Sequence, residues 1–307
     1  MAAAALCLWS LPADAFFVKP VLKQTRGSRH YVSSTGSVDF GTDDLHFKPS
    51  VTGFRSDDST GTFKTYEARA TYAVGKYEVA LTGGFSPRVN GYANRFLGLE
   101  GSTSFEFEKG APDRPAENEA RDEKTEPSKR KFAISRVDLS GGITKTEHSD
   151  EFSGTINKKG QLVLVRSTTS TLDVGQTDFE GTIGIDITAA RLEADLTKSV
   201  YNKDIARVGA RAAQVTQLSG LTSTVQGFPD LNANARVDLQ LFEAATPWFS
   251  YTYTTYKVQQ PNSRAGAVGV DAVPVDGLSL TASFQRVVQA GQPTKDYVTL
   301  QAGYRFE

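Results

Sequence analysis

The feature that most constrains this chain is an apolar–polar alternation of period two, which runs from about residue 44 to the end. In TYEARATYAVGKYEVALTGGF, Tyr66, Ala68, Ala70, Tyr72 and Val74 share one face of an extended chain, and Glu67, Arg69 and Thr71 share the other. Strand side chains alternate across a sheet, whereas helical side chains return every 3.6 residues. No stretch here holds helical spacing for long. Gly75 and Lys76 then provide a tight turn, after which Tyr77, Val79, Leu81, Gly83 and Phe85 oppose Glu78 and Thr82.

The pattern repeats. Leu97, Leu99, Gly101, Thr103, Phe105 and Phe107 oppose Glu100, Ser102, Ser104, Glu106 and Glu108. Ile183, Ile185 and Ile187 oppose Thr182 and Asp186; Leu192, Ala194 and Leu196 oppose Arg191, Glu193 and Asp195. Val208, Ala210 and Ala212 oppose Arg207 and Arg211; Ala235, Val237, Leu239 and Leu241 oppose Arg236, Asp238 and Gln240. Phe249, Tyr251 and Tyr253 oppose Ser250 and Thr252, and Leu278, Leu280, Ala282 and Phe284 oppose Ser279, Thr281, Ser283 and Gln285. The segments 1–40 and 145–175 are not organised by this pattern, and the Ala189–Ala190 junction lacks turn residues and reads as a bulge.

These runs amount to about 14 to 16 strands of roughly 10 to 13 residues, longer than the usual soluble strand and close to the span of a tilted membrane strand. Two connections are long and polar, Lys109–Lys131 and Gln217–Leu231; others are short, as at Asn202–Asp204 and Val275–Gly277. With 16 strands and both termini on the periplasmic side, both long loops would fall outside.

The chain opens MAAAALCLWSLPADAFF, an apolar run followed by an A-x-A site. This resembles a secretory signal peptide over 1–15 with cleavage after Ala15. ADAFFVKP would also fit the front of a plastid-targeting presequence. Residues 16–43 are then an N-terminal segment, either a first strand or a plug, and 44–307 the barrel. The single Cys, Cys7, lies in the targeting segment, so no disulfide, thiolate metal site or Cys nucleophile is expected in the mature chain. With 34 Lys+Arg against 35 Asp+Glu the formal net charge is −1, which gives no reason to expect nucleic acid as a partner. No apolar run of about 18 residues lies beyond the N-terminus, so no membrane-spanning helix is expected.

Alternation alone does not say which face is inside, because a soluble β-sandwich shows it too. Three features favour an apolar outside. Acidic and basic residues adjoin on the polar faces. The apolar faces are thin in places, with Ala, Gly and Val where a soluble core needs volume. Aromatics gather near run ends, at Tyr66 and Tyr72, Phe105 and Phe107, Trp248 to Tyr253, and Tyr304 and Phe306, as in the girdles of membrane barrels.

The last strand, VTLQAGYRFE, is apolar at every second position, with Val298, Leu300, Tyr304 and Phe306 on one face. It resembles the C-terminal strand of bacterial outer-membrane β-barrel proteins, porins among them. It departs from their pattern in that Glu307 follows Phe306. The resemblance implies an all-β, antiparallel transmembrane β-barrel set in outer-membrane lipid. It also implies that these four residues are read by the barrel-assembly machinery, and that the chain forms homo-trimers. A plastid or mitochondrial envelope barrel and a soluble secreted β-sandwich binding protein stay open as alternatives.

Chemistry is sparse. His30, His46 and His148 lie far apart, and no G-x-S-x-G, P-loop, H-E-x-x-H or dinucleotide fingerprint occurs. Asp43–Asp44 and Asp57–Asp58 read as turn residues rather than a cation site. No catalysis, cofactor or metal is expected. A barrel of this size is too wide for its own side chains to fill, so the polar faces should line water. The expected pore-lining residues are Glu67, Arg69, Glu78, Glu100, Glu106, Asp186, Arg191, Glu193, Asp195, Arg207, Arg211, Arg236 and Asp238. Acids and bases facing each other across a lumen favour small polar solutes over apolar ones. The expected function is passive diffusion of small hydrophilic solutes or ions. The rival is a non-conducting barrel that presents its loops to a partner protein or holds one.

Overall fold

A computed structural model describes residues 16–57, 62–89, 92–107, 134–154, 168–202, 228–242, 244–257 and 261–306. Fourteen antiparallel strands close into one barrel. They are β1 (Phe17–Gly27), β2 (Tyr31–Gly41), β3 (Leu45–Arg55), β4 (Phe63–Val74), β5 (Tyr77–Val89), β6 (Tyr92–Glu106) and β7 (Ile134–Gly154). β8 (Thr168–Ile187), β9 (Ala190–Tyr201), β10 (Pro229–Leu239), β11 (Ala245–Tyr256), β12 (Ser263–Val275), β13 (Leu278–Gln289) and β14 (Lys295–Tyr304) complete the wall. Each strand pairs with its neighbours in sequence, and β1 pairs with β14 to close the ring. The register at the seam runs from Val21↔Gly303 to Gly27↔Tyr297. Val18 and Phe306 extend it by a reciprocal pair of backbone hydrogen bonds, 3.0 and 2.9 Å. Strands about 4.8 Å apart, tilted by about 35–45°, give a 14-stranded barrel a backbone diameter of roughly 26–30 Å.

The apolar faces point outward. Leu22, Leu81, Leu97, Phe249, Val268 and Leu300 are each at least half exposed. The polar faces point inward, where side chains converge and reach across an intervening strand. Arg69 of β4 meets Glu100 of β6, and Arg191 of β9 meets Asp138 of β7. On the convex face such contacts would diverge. Apolar outside and polar inside is the arrangement of a barrel that crosses a bilayer, and it sets aside the soluble sandwich. The one buried apolar cluster among the described residues, Tyr31, Ala265, Val287 and Tyr297 with Phe54 against it, sits inside the wall at the end remote from the termini.

Several expectations are corrected. Residues 17–41 form two wall strands rather than one strand or a plug; on β1 the outward positions Gln24 and Arg26 hide the alternation. Thr188 and Ala189 form a tight turn, not a bulge, since Ile187 pairs with Ala190 across it. With 14 strands, counting round the ring puts the ends joined through 107–133 on the same side as the termini, and only those joined through 202–228 on the opposite side. Residues 229–231 of the expected second loop belong to β10. Trp248 points inward, because it pairs with Asp238 and Gly269 on the polar face. Residues 1–15, Arg207 and Arg211 with the run around them, and the bulk of both long loops lie outside the described residues.

The three-residue β1–β2 turn puts Arg29 and His30 in the left-handed region, at φ 59° and 51°, where residues other than glycine are strained. His30 Nδ1 lies 2.7 Å from Asp57 Oδ2, and Asp57 N–H donates to the Arg29 carbonyl at 3.0 Å. The hydrogen bond to Asp57, and then its charge, raise the His30 pKa. A raised histidine pKa means the contact is complete below the ordinary value of about 6.5 and fades as pH climbs through the raised one. In an NMR titration, His30 should titrate above 6.5 in the native chain and fall back toward it in Asp57→Asn. Equal titration in both would remove the contact from the account.

Candidate functional site: the charged lumen

The antiparallel register stacks inward residues of successive strands side by side, so polar groups spaced along the sequence become a continuous lining. Glu67, Arg69, Glu78, Glu100, Glu106, Asp186, Arg191, Glu193, Asp195, Arg236 and Asp238 all fall on this inward face. They gather into a few networks.

Near the end that holds the termini, Arg191 Nη1 lies 2.7 Å from Asp138 and 3.1 Å from Asp186, and Arg191 Nη2 lies 3.6 Å from Glu193. Asp138 also accepts from Arg136 and from Ser104, both at 2.7 Å. Arg191 has to cross β8 to do this. Gly184 permits it, since a Cβ there would stand 2.6 Å from Arg191 Nη2. A cavity of about 750 Å³ opens here, walled by these groups with Glu78, Glu106 and Thr182. Beside it, Arg236 pairs with Asp238 and, at 2.7 Å, with Asp271 of β12, while its guanidinium lies 4.3 Å from the Trp248 ring centroid.

In the middle of the wall, Arg69 pairs with Glu100 at 2.8 Å. Asp195 accepts from Thr182 and Asn234, each at 2.8 Å. Glu180 takes no hydrogen bond from a described residue, and its electrostatic neighbours are Asp178, Glu100, Asp195 and Arg69. Glu180 is exposed, and the Glu100 side chain is 38% exposed, so water reaches both from the lumen. Lys23 of β1 and Lys48 of β3 also face inward, without an ion-pair partner among the described residues. In a ring of 14, β1 stands opposite β8 and β3 opposite β10. The two lysines therefore face the arc that carries Glu180, Asp195 and Arg236.

Toward the far end the lining closes in. His148 Nε2 donates to Gln176 Oε1 at 3.2 Å, and its Nδ1 lies 2.9 Å from the Tyr92 hydroxyl; Gln176 donates to Asp178, as does Ser199 at 2.6 Å. His46 pairs with Asp39 at 2.8 Å. No histidine has the serine–histidine–carboxylate geometry of a hydrolase among the described residues, and no group of metal-ligating residues occurs among them. Asp43 sits 3.0 Å from Arg305, an ordinary rim ion pair.

Sequence reasoning missed Lys23, Lys48, Asp138, Glu180 and Asp271. Asp138 was readable, since it alternates with Val137 and Leu139. Glu180 and Lys23 were not, because the segments before and around them do not alternate cleanly. Overall charge balance also hid a segregation: among the described inward residues acids outnumber bases.

Val298, Leu300 and Tyr304 point outward from β14, exposed by 50%, 58% and 42%; Phe306 beyond it is 55% exposed and packs edge-on against Tyr304 at 4.6 Å.

No protein-family model and no curated protein matches the sequence. Solved structures with a similar chain path exist. CdiB from Acinetobacter baumannii aligns at TM-score 0.48 and 8% identity over 96% of this chain and 61% of that one. Outer-membrane expressed OmpT of Vibrio cholerae aligns at 0.45 and 11% over 96% and 99%. OprB of Pseudomonas putida aligns at 0.47 and 7% over 95% and 94%. This chain thus spans 61% of the length of CdiB. At such scores and identities these likenesses say nothing about what passes through or binds to this barrel.

Proposed function

We propose that this chain is a bacterial outer-membrane channel through which small hydrophilic solutes and ions diffuse passively, with a preference for cations. The observation that carries this reading is the water-exposed pair of neighbours Glu180 and Glu100 at mid-wall, with Glu180 on the arc facing Lys23 and Lys48. Opposed charges across a wet lumen orient water and polar solutes and penalise apolar ones. The acid excess of the lining raises the local concentration of cations. The barrel makes and breaks no covalent bond in this reading. Lipid surrounds the apolar belt, the barrel-assembly machinery engages Val298, Leu300, Tyr304 and Phe306, and protomers associate as trimers.

The test is the refolded chain 16–307 in a planar bilayer. A heat-modifiable gel shift establishes the folded barrel. Stable single-channel steps, with a reversal potential of cation-selective sign in a salt gradient, are expected. A folded, inserted barrel that carries no current would overturn the channel and favour a barrel that holds or presents loops to a partner.

A further inference from the structure

The outward face carries its own charge pattern. At the end remote from the termini the apolar belt stops at a row of cations. Arg26 is the penultimate residue of β1, Arg55 the last of β3, Lys64 the second of β4 and Arg264 the second of β12. All four are exposed. Each has an outward neighbour in register: Arg26 pairs with Val298, Arg55 with Val32, Lys64 with Gly53 and Arg264 with Val288. In the barrel order β12, β13, β14, β1, β2, β3, β4 these strands form one continuous arc, half of the wall.

Two facts distinguish these four cations. None of the four has an acidic partner among the described residues, whereas other outward cations do, including Arg286 of β13 within the arc, 2.8 Å from Asp296 of β14. Arg95 is paired with Glu147, and Lys198 lies 2.7 Å from Asp230. The arc is also backed from inside by the packed cluster of Tyr31, Ala265, Val287 and Tyr297, which lies on the same run of strands. The wall behind the cations is therefore filled, and their spacing is fixed by it.

We propose that this arc docks the anionic phosphate headgroups of the lipid leaflet at the end remote from the termini. The surface is convex and continuous with the lipid-facing belt below it, so it suits a row of headgroups rather than a folded partner. Arginine and lysine stems lie along apolar surface while their charged tips reach the headgroup level. Guanidinium groups bind phosphate oxygens in pairs. A basic residue next to an anionic lipid surface is worth about a fivefold gain in association. The inference needs the barrel to cross a bilayer; it does not need the lumen to conduct.

The experiment places the full barrel in phosphatidylcholine vesicles that contain a minority of phosphatidylglycerol. Association of spin-labelled phosphatidylglycerol is compared with that of spin-labelled phosphatidylcholine. The native chain should enrich the anionic lipid several-fold at its surface. R26Q/R55Q/K64Q/R264Q should bring the ratio to about one, and the control R95Q/K198Q should keep it. If the fourfold variant does not fold by gel shift, the pairs R26Q/R264Q and R55Q/K64Q are read instead, each expected to lower the ratio. No preference in an inserted native barrel, or one unchanged by the variants, overturns the lipid site alone. Loss of preference in excess inorganic phosphate, but not in chloride of equal ionic strength, assigns the arc to free phosphate and overturns the lipid. A chain that never enters the vesicles overturns the membrane reading and this site with it.

Discussion

The variant E67Q/E100Q/E180Q loses cation preference several-fold at low salt, read as a shift of the reversal potential in a salt gradient. Two unit charges about 10 Å apart in water interact by about 0.4 kcal/mol, a factor of about two in local ion concentration. Three such changes compound. Glu100→Gln also releases Arg69 from its 2.8 Å ion pair, which adds uncompensated positive charge to the same ring. The reverse change, K23Q/K48Q, removes the cations from the facing arc and should raise cation preference. Salt supplies an internal check. The screening length falls from about 10 Å at 0.1 M to about 3 Å at 1 M, so both effects should shrink at high salt. Glu147→Gln is the control, since Glu147 lies on the outward face bonded to Arg95. A triple variant whose reversal potential moves no further than this control would mean that ions do not pass the mid-wall ring, and the proposed route would be wrong.

Gly27→Val is expected to prevent closure of the barrel. Gly27 lies at the seam, paired with Tyr297 of β14 on one side and Tyr31 of β2 on the other. The Tyr297 ring lies across it. A Cβ at Gly27 would stand 2.3 Å from Tyr297 Cδ1 and 2.8 Å from the Asp296 carbonyl oxygen. The ring cannot simply step aside. Tyr297 is 4% exposed and packs edge-on against Tyr31 at a centroid separation of 5.4 Å. Overpacking of this kind costs about 1–3 kcal/mol, roughly five- to 150-fold in the folding equilibrium. An unclosed seam would also leave two strand edges unpaired in lipid, which bilayers do not tolerate. The folded, heat-modifiable band should therefore fall away. Gly181→Val, with nothing within 4 Å of its added Cβ, should fold as the native chain does. Equal folding of both variants would show that the seam relaxes around the new side chain.

How much of this was legible in the sequence depends on whether both faces of a strand obey the code. β4, β5 and β6 read directly, because Tyr66 to Val74, Tyr77 to Phe85 and Leu97 to Phe105 carry no charge at any outward step and, Thr103 apart, no polar side chain. β1 did not, since it turns Gln24 and Arg26 outward near its end. β8 was half legible: Ile183 to Ile187 alternate, while Thr168–Gly175 does not follow the code, since Val174 is apolar on the inward face and its outward neighbours Asp173 and Gly175 are not. The tight turn at Thr188 and Ala189 was missed because neither residue is a usual turn former. Trp248 was misread because an aromatic near a strand end suits a girdle as well as a cation. Only the pairing with Gly269 and the nearby Arg236 guanidinium place it inside.

By itself the sequence determined the period of two, the antiparallel succession of strands, the identities of the inward polar residues on the clean strands, and the extended C-terminal run. These follow from side chains alternating across a pleated backbone, which is a local property. Only the tertiary structure decided the strand number, the side on which each long connection emerges, and which charges meet. Arg191 reaches Asp138 over Gly184, and Lys23 faces the Glu180 arc, because closing the ring brings distant strands onto one concave surface. The near-neutral chain likewise divides into an acid-rich lining and an outward arc of cations, since closure sorts by face what composition can only sum.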